Sequence, residues 1–231
     1  MRAAPHRPAP GGDPRPHRRG GGDPRRIGLD QGDHDRGARL RGAGRGARRP
    51  GRRDAPPARR LRERRVITDT ALIARAGVLI AAYRERRRRI VTAESCTGGL
   101  LAGLLTEVAG SSAVVERGFV TYSNEAKAEV LGVDFGLISE HGAVSEPVAR
   151  AMADGALAHS RADVALAITG IAGPSGATAT KPVGLVHFGL VTAGRAMRHL
   201  ERRYGDIGRA EVRRKAVEDA LGLLEAALTE V

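Results

Sequence analysis

The sequence predicts an α/β fold, a three-layer α/β/α sandwich on a mixed sheet, preceded by a disordered N-terminal arm. Three observations carry this reading. Beyond Val66, apolar residues recur at helical spacing in several separate segments. Short apolar runs stand between those segments, and one of them, residues 163–169 (DVALAIT), is almost wholly apolar, as in a strand buried on both faces. Helices that alternate with buried strands bury their stripes by stacking on the two faces of a sheet.

The first periodic segment is residues 70–86, where Leu72, Ile73, Ala76, Leu79, Ile80 and Tyr83 share one helical face and Thr68 or Asp69 can cap the start. Residues 90–93 read as a short strand, and 98–108 as a helix apolar nearly all round, which places it in an interior. Gly110, Ser111 and Ser112 make a turn before a strand over 114–122. Ser123 then starts a short helix that ends at Gly132. Ser145 is a candidate N-cap with Pro147 in the first turn, and Val148, Met152, Ala156 and His159 share a face of the helix that follows. After the buried strand at 163–169, a Gly- and Pro-containing loop runs from Gly170 to Pro182. Residues 183–191 and 196–204 then read as two strands joined by a hairpin-length connection, and 208–228 as an amphipathic helix.

Composition divides the chain at Arg65. The first 65 residues hold 20 Arg and no Lys against seven acids, so they account for the whole formal charge of +13. They also hold nine of the 12 Pro, no Phe, Tyr or Trp, and only five Leu, Ile, Val or Met. Such a segment buries too little apolar surface to offset the entropy of ordering it, hence the disordered arm over 1–65. Clustered Arg attracts phosphate, which makes the arm the one place where nucleic acid could bind. Without aromatic residues for stacking, a solvated tail is the preferred reading. Residues 66–231 are long enough to bury about two-thirds of their unfolded surface and form the folded domain.

Cys96 is the only cysteine, so there is no intrachain disulfide, and a reducing cytoplasm is the expected setting. No apolar run reaches the ~18 residues of a membrane span, and the Arg-rich N-terminus lacks the apolar region of a secretory signal. No catalytic metal or cofactor is expected, because His141, His159, His187 and His199 are spread over separate elements without metal-ligand spacing. A homo-oligomer is expected.

Ser95 falls in a strand-to-helix turn, where amides and a helix dipole favour developing negative charge. It is a candidate nucleophile, although Ser95 or Thr97 could equally be the N-cap of the helix. Gly98 and Gly99 would let a ligand approach the backbone. No histidine is placed to suggest a Ser-His-Asp triad. Lys127 would sit in the first turn of the helix capped by Ser123, where the dipole disfavours a cation; a neutral lysine there could act as general base, and the alternative is a surface lysine. Cys96 is a rival nucleophile that could instead be a small buried residue. The loop from Gly170 to Gly176 follows a buried strand, where open α/β sheets bind ligands, but it matches neither the Walker A nor the Rossmann spacing.

Taken in order, TAESCTGG (92–99), AGSSAVVERGFVTYSNEAK (109–127), HGAVSEPVA (141–149) and TGIAGPSG followed by KPVG (169–184) resemble the CinA C-terminal domain family, which includes stand-alone nicotinamide-nucleotide amidohydrolases. The resemblance covers nearly all of residues 66–231. It implies hydrolysis of the carboxamide of nicotinamide mononucleotide to nicotinate mononucleotide and ammonia, in pyridine-nucleotide salvage. It also implies a Ser-Lys site carried onto Ser95 and Lys127, with backbone amides near Thr97 and Gly98 holding the oxyanion. Thr97, Gly98, Gly99, Tyr122, Gly170 and Gly173 would form the nucleotide pocket. Where the family often has paired glycines after GIAGP, this chain has Gly176-Ala177. The large N-terminal domain of longer relatives has no counterpart in the arm, so no pyrophosphatase activity carries over. The alternative function is a non-catalytic nucleotide-sensing or competence-associated interaction module.

Overall fold

The structure is a computed structural model and describes residues 69–229. The disordered arm expected over 1–65 and the alternative cap at Thr68 lie outside the described residues.

Helix α1 (Thr70–Glu85) starts where Asp69 accepts hydrogen bonds from the amides of Ala71 and Leu72, satisfying donors that a helix start leaves free. Strand β1 (Ile90–Glu94) leads into a turn and then α2 (Leu100–Thr106). This helix begins two residues later than its apolar pattern suggests. Gly98 and Gly99 adopt φ of 58° and 88°, a left-handed conformation that cannot continue into a right-handed helix. A 3₁₀ turn (Ser111–Ala113) precedes β2 (Val115–Val120). Helix α3 (Asn124–Leu131) is capped by the Ser123 hydroxyl, which accepts from the Ala126 amide, and closes on left-handed Gly132.

Helix α4 (Phe135–His141) was not legible as a periodic segment. It is short, carries Gly136, and is started by the Asp134 carboxylate capping the Gly136 and Leu137 amides. Helix α5 (Glu146–Ala158) follows Ser145, whose hydroxyl donates to the Gly142 carbonyl rather than capping the helix. Strands β3 (Val164–Gly170), β4 (Leu185–Thr192) and β5 (Arg198–Arg203) and helix α6 (Arg209–Thr229) complete the chain.

The five strands form one mixed sheet in the order β2-β1-β3-β4-β5. β1 runs parallel to both β2 and β3, and β4 is antiparallel to β3 and β5. Alternation along the strands sends side chains to two separate cores. Ile90, Val164, Leu166, Ile168, Val186 and Phe188 face the layer of α1, α2 and α6, whereas Val91, Ala93, Ala165 and Ala167 face α5 with α3 and α4 beside it. At ~25 cal/mol per Å² of apolar surface removed from water, these two cores dominate the stability of the sandwich. The Tyr83 hydroxyl, fully buried, donates to the Leu224 carbonyl and ties α1 to α6. Among the described residues no helix is long and apolar enough to cross a membrane.

Candidate active site

The site forms where β1, β2 and β3 end on the same side of the sheet, because parallel strands deliver their C-terminal loops together. Ser95 is the first residue beyond β1. Its amide donates to the Ile168 carbonyl at 2.9 Å, so the chain cannot drift from β3 as it turns. Lys127 reaches the same point from the first turn of α3. Its Nζ lies 3.0 Å from Ser95 Oγ and 2.9 Å from the Thr121 carbonyl, with the Tyr122 and Ser123 carbonyls at 3.4 Å.

Both side chains are buried, Lys127 at 1% exposure. Burial holds the lysine amine below its ordinary value of 10.5, since charge is costly in a site of low polarisability. A neutral amine has two N–H groups for the surrounding carbonyls and one lone pair for a hydroxyl proton. Around Nζ the Ser95 hydroxyl and the Thr121 carbonyl are the close partners, and the Tyr122 and Ser123 carbonyls stand farther off. Cys96, next to Ser95, has its thiol pushed up to about 12, chiefly by burial and then by the nearby Glu94 charge. It is therefore held as a thiol, the weaker nucleophilic form.

Glu94, fully buried at the end of β1, carries the charge that the sequence pattern did not single out. Its carboxylate accepts from the amides of Gly99, Leu101 and Ala102 at 3.1, 3.1 and 2.9 Å. The start of α2 is thus satisfied from within, and its amides are not available to a ligand. Gly98 N–H is also used, on the Ser95 carbonyl at 3.0 Å. Thr97, Gly98 and Gly99 lie in the turn beneath Ser95 and not on the cavity wall.

The cavity above Ser95 and Lys127 has a volume of about 280 Å³. Cys96 and Thr169 to Gly173 line one side, Ala143 and Val144 another, and Tyr122 with Arg209 stand at its rim. Gly170 has no room for a side chain: a Cβ there would lie 2.7 Å from Val186 Cγ2 and 3.1 Å from Cys96 Sγ. Gly173, at φ 80°, sits in the left-handed region that glycine alone enters freely. The Thr169 hydroxyl donates to the Ala143 carbonyl at 2.8 Å and Lys181 Nζ donates to the His141 carbonyl, which fixes the 141–145 segment against β3.

Arg209, at the start of α6, was not singled out from the sequence, where nothing distinguishes it from many other arginines. Its guanidinium donates to the Gly173 carbonyl and to the Tyr122 hydroxyl, both at 3.0 Å. Tyr122 is 61% exposed and lines the cavity. The four histidines among the described residues lie outside this cavity, although His187 and His199 meet across β4 and β5 with ring nitrogens 3.0 Å apart. Among the described residues no cluster of three or more His, Cys, Asp or Glu side chains is placed to hold a metal ion. A larger cavity of about 400 Å³ beside α1 and α6 is lined by Arg75, Tyr204, Lys215, Glu218, Asp219 and Gly222, with no serine or cysteine among them.

Known proteins resemble this chain in sequence and in fold. The family model of the CinA C-terminal domain matches residues 74–228. A CinA-like protein of Mycolicibacterium vanbaalenii is 58% identical over 62% of this chain, which spans 33% of that relative's length. The nicotinamide-nucleotide amidohydrolase PncC of Escherichia coli is 50% identical over 68% of this chain and 95% of its own length. Among solved structures, the competence/damage inducible protein CihA of Agrobacterium tumefaciens superposes with a TM-score of 0.67 at 52% identity, over 69% of this chain and 96% of that one. A CinA superfamily protein of Klebsiella pneumoniae superposes at 0.66 with 35% identity, over 69% and 99%. Family match, identity and fold together establish that this chain belongs to the CinA C-terminal domain family.

Proposed function

We propose that the chain is a nicotinamide-nucleotide amidohydrolase, converting nicotinamide mononucleotide and water to nicotinate mononucleotide and ammonia in pyridine-nucleotide salvage, with Ser95 as nucleophile and Lys127 as general base. The observation that carries this reading is the 3.0 Å contact between a buried lysine amine and a serine hydroxyl on the floor of a cavity. The relation to the Escherichia coli amidohydrolase, over nearly its whole length, supplies the substrate.

Neutral Lys127 takes the Ser95 proton as Oγ attacks the carboxamide carbon. The carbonyl oxygen becomes an oxyanion. With the Gly98 and Gly99 amides committed elsewhere, the amide of Cys96, which lines the cavity beside Ser95, is the donor offered to it. Protonated Lys127 then passes its proton to the amide nitrogen, the C–N bond breaks, and ammonia leaves an acyl ester on Ser95. Water attacks that ester as Lys127 takes a proton from it. Collapse of the second intermediate returns the proton to Ser95 and releases the carboxylate product.

The small apolar side chains of Val144, Ile171 and Ala172 suit the flat face of a pyridine ring. Arg209 at the rim offers N–H donors and a permanent charge to the phosphate of the nucleotide. The domain carrying this chemistry is read as residues 66–231, acting in the cytoplasm as a homo-oligomer on a small-molecule nucleotide.

Incubating the protein with nicotinamide mononucleotide should release ammonia and nicotinate mononucleotide in equal amounts. Binding of the mononucleotide with no ammonia released would instead favour a nucleotide-sensing module.

A further inference from the structure

Arg213 stands on α6 one turn beyond Arg209. Its neighbour Arg214 is held by Glu211 and Glu218. The Arg213 guanidinium instead donates through Nη2 to the Thr97 carbonyl at 2.8 Å, and its Nε is sealed from solvent with no partner. A buried donor without a partner is a cost that folded proteins seldom carry without a functional or structural return.

The element that Arg213 grips is the turn that presents Ser95. One end of that turn is fixed by the Ser95 amide on the Ile168 carbonyl, and the other by the Gly99 amide on Glu94. Between them the backbone passes through two left-handed glycines, Gly98 and Gly99, whose torsions are the least restricted in the site. The Thr97 carbonyl belongs to the peptide that enters this pair, and Arg213 holds it from a helix more than a hundred residues away in sequence. A charged donor binds a carbonyl more strongly than a neutral one, so the peptide plane is set firmly. Arg213 itself does not line the cavity.

We infer that Arg213 is a positioning residue for the nucleophile turn: by fixing the Thr97 carbonyl against α6, it sets the plane of the Thr97–Gly98 peptide, whose Gly98 N–H donates to the Ser95 carbonyl, and with it the presentation of Ser95. The inference rests on the amidohydrolase reading for its link to turnover. Arg209, one turn earlier, faces the cavity; Arg213 acts from behind the turn.

Steady-state kinetics of Arg213→Met and Arg213→Lys, with thermal melts and the rate of Ser95 sulfonylation by a small sulfonyl fluoride, test this. Loosening the turn should lower kcat of Arg213→Met by roughly 100-fold, the scale of a small misplacement of reacting groups. KM should stay near wild type, the pH at which activity rises should not move, and sulfonylation of Ser95 should slow with kcat. Arg213→Lys, which keeps a charged donor, should fall between the two. The inference is overturned if Arg213→Met matches wild type in kcat and labelling, or if its whole loss lies in KM or in the unfolded fraction. Should Arg213→Met not fold, the same readings are taken from Arg213→Lys. If the wild type releases no ammonia, the amidohydrolase reading fails by itself, while the labelling ratio still decides whether Arg213 presents Ser95.

Discussion

Lys127 Nζ lies 3.0 Å from Ser95 Oγ, in a pocket where the other neighbours of the amine are carbonyl oxygens. The lysine can accept a proton only when neutral, and burial lowers its pKa from 10.5. The neutral fraction grows as pH rises through the lowered value, so kcat/KM should climb with pH and level off. The midpoint of that ascending limb should lie below 10.5, and a pH–rate profile on the mononucleotide locates it. A limb centred at the ordinary lysine value would contradict the burial account.

Cys96 should be chemically quiet despite its place beside Ser95. It is buried and its thiol is pushed up to about 12, so almost no thiolate exists near neutral pH. Iodoacetamide at pH 8 should leave the native protein unmodified, and Cys96→Ala should keep kcat within about threefold of wild type, as expected when no reacting group is lost. Rapid alkylation with parallel loss of activity would return Cys96 to the list of nucleophiles.

Much of this architecture is legible in the sequence because its cause is local. Residues 163–169 announce a buried strand, since both faces of β3 are covered and nearly every position is apolar. Ser123 and Gly132 bracket α3 through capping chemistry, and that placed Lys127 on the right turn of the right helix. What is not legible depends on contacts distant in sequence. Glu94 looks like the end of a strand, and only the fold shows its carboxylate turned onto α2. Arg209 reaches the cavity because α6 packs beside β3 and β4, which no spacing near residue 209 encodes. Helix α4 escaped notice because seven residues with a glycine give too short a period to read.

Glu94 should matter to stability. Removing the carboxylate leaves the Gly99, Leu101 and Ala102 amides without their acceptor in a buried setting. Glu94→Ala should cost about 3 kcal/mol or more, and Glu94→Gln, which keeps one acceptor, about 1–2 kcal/mol. Urea unfolding monitored by circular dichroism measures both. Costs near zero for both variants would mean that the caps contribute little.

Two glycines in helix and strand should respond to alanine with opposite signs. A Cβ on Gly189 in β4 would strike the Ala149 backbone of α5, 2.8 Å from its carbonyl carbon, so Gly189→Ala should destabilise by about 3 kcal/mol. Gly77 in α1 has nothing within 4 Å of such a Cβ, and Gly77→Ala should gain about 0.5–1 kcal/mol from restricted backbone entropy. A Gly189→Ala variant that melts no lower than wild type would contradict the packing of α5 on the sheet.

The central claim is that Ser95 and Lys127 act as one nucleophile–base unit, and ammonia release from nicotinamide mononucleotide by wild type, Ser95→Ala and Lys127→Ala tests it most directly. Each variant should lose about 10³-fold or more in kcat, and the double variant should lose little beyond either single one, because groups that act as a unit are not additive. Activity near wild type in either single variant would contradict it.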